Sequence, residues 1–98
     1  YGSEYTLFAA NRMNEENKIT ADVVGRCCES GDIIQPQVTL PEIRRGDIIA
    51  VCTTGAYNYS MASRYNRIPV PPVVMLRDGG SYVAVKGETL EDIVKNDV

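Results

Sequence analysis

Lys18-Ile19-Thr20-Ala21-Asp22-Val23-Val24-Gly25 sets Ile19, Ala21 and Val23 on one face and Thr20 and Asp22 on the other. A period of two marks a half-buried strand, because successive side chains of a strand point to opposite sides. Upstream, Tyr5–Ala10 is strand-like and is followed by a polar turn at Asn14-Glu15-Glu16-Asn17. Downstream, Glu29-Ser30-Gly31-Asp32 reads as a turn and Ile33-Ile34 as a brief apolar step. Pro36 and Pro41 lack an amide donor and argue against long central strands there. Arg45-Gly46-Asp47 turns the chain into a strand over Ile48–Thr53. Val73–Arg77 and Tyr82–Lys86 flank Asp78-Gly79-Gly80-Ser81, whose glycines supply the positive φ of a tight hairpin.

Two segments break this pattern. Tyr57, Met61 and Tyr65 recur four apart within Gly55–Asn66, which predicts a short helix. Thr89 is placed to cap a second one, with Asp92 as an acidic variant of the capping box and Leu90, Ile93 and Val94 as its apolar stripe. The expected fold is mainly β: a small Greek-key-type β-barrel or sandwich, with a short helix after Gly55-Ala56-Tyr57 and another at the C-terminal end. One domain over residues 1–98 accounts for the length.

Composition excludes several functions. The 98 residues include no histidine, so a Ser-His-Asp triad, a Cys-His pair or a His-bearing zinc site cannot be built from this chain, and no metal is expected. The 10 basic and 13 acidic residues give a net charge of −3 and are dispersed, so no nucleic-acid stripe is present. Ile48–Cys52 and Val73–Leu76 are far too short to span a bilayer, and no membrane association is expected. No signal peptide is read, and the opening on Tyr1 rather than Met reads as an excised piece. Cys27, Cys28 and Cys52 do not resemble a disulfide framework, which points to reduced thiols and a cytoplasmic setting.

Cys27-Cys28-Glu29-Ser30-Gly31-Asp32 is the densest polar constellation. On residue chemistry alone it reads in two ways: a thiol and a carboxylate presented to a cleft, or a small core hydrophobe beside a solvated turn, the commoner arrangement. Tyr57 either offers its phenol to an anionic group or packs at a barrel rim. The Asn58-Tyr59-Ser60 sequon is read as accidental, and Pro69-Val70-Pro71-Pro72 as a rigid connector.

Taken together the segments say more. Val24-Gly25-Arg26-Cys27-Cys28-Glu29-Ser30-Gly31-Asp32, Leu40-Pro41, Gly46-Asp47-Ile48-Ile49-Ala50-Val51, Gly55–Asn66 and Arg67–Val74 follow one another in order. In that order and spacing they closely resemble the C-terminal β-domain of the diaminopimelate decarboxylase family. These are alanine-racemase-like, pyridoxal 5'-phosphate (PLP)-dependent decarboxylases of fold type III. The resemblance covers nearly the whole chain, and it overturns the bland readings of Cys28, Glu29 and Tyr57.

The resemblance implies residue roles. Cys28 resembles the family's catalytic cysteine, which protonates the carbon left after CO2 departs; a thiol with an ordinary pKa of about 8.5 holds its proton near neutrality and can donate it. Cys28 is chosen over Cys27 because it directly precedes Glu29. Glu29 resembles the residue that pairs with the ammonium at the substrate's non-reacting end. Tyr57 resembles the tyrosine that reaches both the PLP phosphate and the substrate. Tyr1 resembles a tyrosine that holds the distal carboxylate, although Tyr5 stands where the family often has histidine.

The resemblance also implies what lies elsewhere. The lysine that holds PLP, the glycine-rich phosphate loop and a ring-stacking histidine belong to an N-terminal TIM-barrel domain; Lys18, Lys86 and Lys95 sit in no matching motif. The site forms between subunits of a homodimer. The expected reaction of the whole enzyme is conversion of meso-2,6-diaminopimelate to L-lysine and CO2, and this chain alone is expected to be inactive. The alternatives are a sibling decarboxylase for ornithine, arginine or carboxynorspermidine, and a non-catalytic interaction domain. Glu29 after the cysteine argues against the ornithine type, where aspartate is expected.

Overall fold

The computed structural model describes residues 2–98. The order of elements is β1 (Leu7–Ala9), β2 (Ile19–Val24), β3 (Ile33–Leu40), β4 (Ile49–Val51), α1 (Asn58–Met61), a 3-10 turn (Tyr65–Arg67), β5 (Val73–Arg77), β6 (Gly80–Val85) and α2 (Leu90–Val94). The mainly β fold with two short helices is as expected. The strands, however, form three separate two-stranded antiparallel sheets, β1 with β4, β2 with β3 and β5 with β6, and these are not closed into a barrel. Closure needs a continuous, staggered ladder, and β1 and β4 pair over only Leu7↔Val51, Phe8↔Ala50 and Ala9↔Ile49.

Residues divide into two compact units, one ending at Tyr59 and one spanning Ser60–Val98. In the first, β2 shows the alternation read from its sequence: Ile19, Ala21 and Val23 are half-buried, and Thr20, Asp22 and Val24 exposed. Its partner departs from expectation. β3 runs for eight residues straight through Pro36, because the ladder slips there: Ala21 faces Val38, but Val23 faces Gln35. That bulge takes Pro36 and Gln37 out of regular pairing, so the missing proline donor breaks no ladder bond. Gln37 takes a φ of 52° and its amide donates to Asp22 Oδ1 at 2.9 Å. Ala9 and Leu40 form the buried hydrophobic core, where β1 packs on β3.

Beside this core, Asp47 ties together the loops flanking β1 and β4. Its carboxylate accepts from Arg12 Nε at 2.7 Å, Asn11 Nδ2 at 2.9 Å and the Arg44 amide at 2.7 Å. The Arg12 hydrogen bond comes first among the causes that hold the Asp47 carboxyl well below the usual range, followed by Asn11 and the Arg44 amide.

The second unit is built on the β5–β6 hairpin. Arg77 faces Gly80, so Asp78 and Gly79 alone make the turn, with φ of 50° and 76°. Two positive φ angles define a type I′ turn, whose twist matches the strands. The Asp-Gly pair is the residue choice that the turn favours. The capping box also forms as read: Asp92 N–H donates to Thr89 Oγ1 at 3.2 Å, and Thr89 N–H to Asp92 Oδ2 at 2.9 Å. The apolar stripe of α2 does not bury, with Leu90 67% and Val94 47% exposed. The helix expected over Gly55–Asn66 reduces to α1 and the 3-10 turn, within which Asn66 takes a non-helical φ of 57°.

Candidate active-site segment

The loop joining β2 to β3 spans residues 25–32 and carries the Cys28-Glu29 pair at its tip. It is a tied structure. Gly25 N–H donates to the Asp32 carbonyl at 2.8 Å, closing the base, and Asp32 N–H donates to the Glu29 carbonyl at 3.0 Å. Cys27 N–H donates to Asp32 Oδ2 at 2.9 Å. A further short bond, Ile33 N–H to the Gly31 carbonyl at 2.7 Å, starts β3. The two glycines have a steric reason: a Cβ on Gly25 would run into the Asp32 carboxylate, and one on Gly31 would sit 2.8 Å from Glu29 Oε1.

Glu29 folds back over its own loop, with Oε1 accepting from Gly31 N–H at 2.7 Å. The bond restrains a long, exposed carboxylate whose rotamers would otherwise be numerous. The two adjacent thiols differ. Cys28 is exposed and Cys27 half-buried, and the Cys27 thiol is pushed above its ordinary pKa, first by desolvation and then by its hydrogen bond to Asp32.

Tyr57 arrives from a different element. After β4, Cys52 N–H donates to the Thr6 carbonyl at 2.9 Å, and Thr53 then takes a φ of 58°. A β-branched residue rarely adopts that conformation, and here it turns the chain out of the ladder toward Gly55 and Tyr57. Tyr57 is 71% exposed. The structure thus brings Cys28 and Glu29 together on one hairpin tip and carries Tyr57 on the loop after β4. Tyr1 lies outside the described residues. Sequence reading assigned no part in shaping this site to Asp32, Gly25 or Thr53. A glycine at each end of a loop, followed at one end by aspartate, was the available signal; nothing local marks Thr53.

An ordered loop bearing a thiol and a carboxylate, on a mainly β chain, can present one proton donor and one cation-binding group to a ligand held elsewhere. The model of the family "Pyridoxal-dependent decarboxylase, C-terminal sheet domain" matches residues 1–55. The chain belongs to that family. Among its relatives, diaminopimelate decarboxylase of Bacillus subtilis (strain 168) is 50% identical over 98 residues, covering 100% of this chain and 22% of the relative. The Halalkalibacterium halodurans enzyme of that name is 48% identical over the same length, again covering 100% and 22%. A crystal structure of diaminopimelate decarboxylase superposes with a TM-score of 0.85 at 30% identity, over 97% of this chain and 25% of that one. The M. jannaschii enzyme, solved in co-complex with L-lysine, gives 0.90 at 26% identity, over 100% and 22%. The chain therefore spans a quarter or less of the length of these relatives. Among the described residues no helix is long and apolar enough to cross a membrane.

Proposed function

We propose that this chain is the C-terminal β-domain of a two-domain diaminopimelate decarboxylase of the cytoplasm, which converts meso-2,6-diaminopimelate to L-lysine and CO2. The observation that carries the reading is the exposed Cys28-Glu29 pair at the tip of a hydrogen-bonded hairpin loop, in a chain of this family. Cys28 donates the proton to the carbon that loses CO2. Glu29 pairs with the ammonium at the far end of the substrate: Oε1 stays on Gly31 N–H, which leaves Oε2 for the ligand. A charge-assisted contact of this kind rejects amino acids that lack a distal amine, because a carboxylate that loses its water on closing over the substrate would then stand unpaired.

Tyr57 fits a phosphate or carboxylate oxygen, since an exposed phenol after a glycine can donate without rearranging the strand before it. Tyr1 is assigned to the substrate's distal carboxylate on the family resemblance. PLP, when bound, supplies the electron sink of the reaction; the lysine that holds it belongs to an N-terminal TIM-barrel domain. The surface of this chain supports such a partner, and a second subunit with it. Leu76 and Val83 on the second hairpin are 81% and 59% exposed, an apolar face that an interface would cover.

The test joins residues 1–98 to a family barrel domain and measures CO2 release from meso-diaminopimelate and from ornithine. Turnover of meso-diaminopimelate with little from ornithine is expected. No turnover of either substrate with PLP bound would overturn the enzymatic reading, and preference for ornithine would overturn the substrate. The unjoined chain is expected to release no CO2 and to acquire no stoichiometric PLP adduct after borohydride reduction.

A further inference from the structure

Asp32 grips the chain on both sides of Cys28. Its Oδ2 accepts from the amide of Cys27, the residue before, and its own amide donates to the carbonyl of Glu29, the residue after. Its carbonyl meanwhile accepts from Gly25 N–H at the base of the loop, and its carboxylate lies over Gly25 in the space a Cβ would need. A single half-buried residue is thus bonded to Gly25 at the end of β2 through its carbonyl, to Glu29 through its amide and to Cys27 through its carboxylate. We propose that Asp32 is a positioning residue, which fixes the Cys28-Glu29 tip and makes Cys28, rather than Cys27, the thiol that the loop offers. The inference rests on the reading of Cys28 as proton donor, but its geometric content stands on the loop alone.

Two consequences separate this role from generic loop stability. The first is selectivity between neighbouring thiols. Asp32 faces Cys27, and its hydrogen bond and charge, together with partial burial, favour the protonated Cys27 thiol, with Cys28 adding slightly and Arg26 opposing. Thiolates are the species that alkylating reagents attack, so Cys27, half-buried and bonded to Asp32, is protected, whereas Cys28 is exposed. The second is a difference between charge and geometry. Asparagine at position 32 retains an acceptor oxygen for Cys27 N–H but no charge, whereas alanine retains neither.

The experiment measures iodoacetamide labelling of the chain at neutral pH, with fragment-ion mapping to distinguish Cys27 from Cys28. Cys28, the exposed thiol, is expected to react faster than the half-buried Cys27. Asp32→Asn should raise Cys27 labelling while the amide signals of Glu29 and Gly31 stay in place. Asp32→Ala should bring the two rates together and shift those signals. In the enzyme joined to its barrel domain, Asp32→Ala should lower kcat and raise KM for meso-diaminopimelate, and Asp32→Asn should recover most of both losses. An Asp32→Ala chain that keeps both the labelling ratio and the amide signals would overturn the proposal, as would unchanged kcat in the joined enzyme. If labelling behaves as expected but Cys28→Ala leaves turnover intact, the positioning role stands and the assignment of Cys28 as proton donor falls.

Discussion

The β2–β3 and β5–β6 hairpins have the same topology and opposite construction. The β5–β6 turn uses the minimum, Asp78 and Gly79 with positive φ, and the ladder beside it slips once, near Val73. The β2–β3 hairpin is bulged at two places, passes through Pro36 and ends in an eight-residue loop held by Gly25, Glu29, Gly31 and Asp32. A two-residue turn is set by backbone torsions and has no room for side-chain chemistry. A longer loop must find bonds for its own amides, and those bonds also fix the groups at its tip. The contrast extends to burial: Leu40 roots β3 in the first unit's core at 1% exposure, whereas no residue of β6 is buried.

Substitutions can break that comparison. Leu40→Ala should cost about 2–5 kcal/mol by removing the largest buried side chain, whereas Val83→Ala on β6 should cost under about 1 kcal/mol in the isolated chain. Denaturant unfolding checks both, and equal losses would show that the second hairpin has a core of its own. In the joined enzyme, Glu29→Gln should raise KM for meso-diaminopimelate about 10- to 100-fold, the size of a lost charge-assisted bond. A change confined to kcat would remove Glu29 from substrate recognition. Gly79→Ala, at φ 76°, should destabilise β5–β6 by about 1 kcal/mol and speed amide exchange there, with iodoacetamide labelling of Cys28 unaltered. Coupled changes would show that the two hairpins act as one.

Acid sharpens the contrast between units. Asp47 in the first unit is held well below its ordinary 3.8, mainly by Arg12. Glu88 in the second is lowered from 4.5, mainly by the Val70 amide and then by Arg64. A carboxyl lowered in the folded state binds fewer protons than in the unfolded one, so its stabilisation is complete above the ordinary value and is lost as pH falls. The Val70 amide signal should move only once pH has fallen below 4.5, and that of Arg44 at lower pH still, well below 3.8. The reverse order in an NMR titration would contradict the assigned networks.

Legibility in the sequence followed the range of the interaction. The β5–β6 hairpin, the Thr89–Asp92 capping box and the alternation of β2 are decided within a few residues and form as read, except that the turn tightens from the expected Asp78–Ser81 to Asp78-Gly79, with Gly80 and Ser81 joining β6. The continuity of β3 through Pro36 was hidden, because it depends on a bulge against β2. The apolar stripe of α2 was visible in sequence, but its exposure depends on what the chain has available to cover it. Cys28, Glu29 and Tyr57 are singled out by their resemblance to the family's motifs, and their roles are a proposal. The clasp of Asp32 was not legible, since a carboxylate reaching the amide five residues back is a consequence of loop closure.

The central claim is that the β2–β3 tip supplies the reacting proton. Its most direct test is turnover of meso-diaminopimelate by the joined enzyme carrying Cys28→Ala, with PLP content measured alongside. The account predicts a loss of about 10²- to 10⁴-fold, the usual contribution of a positioned acid, at unchanged PLP content. A Cys28→Ala enzyme that retains the parent's rate would contradict it.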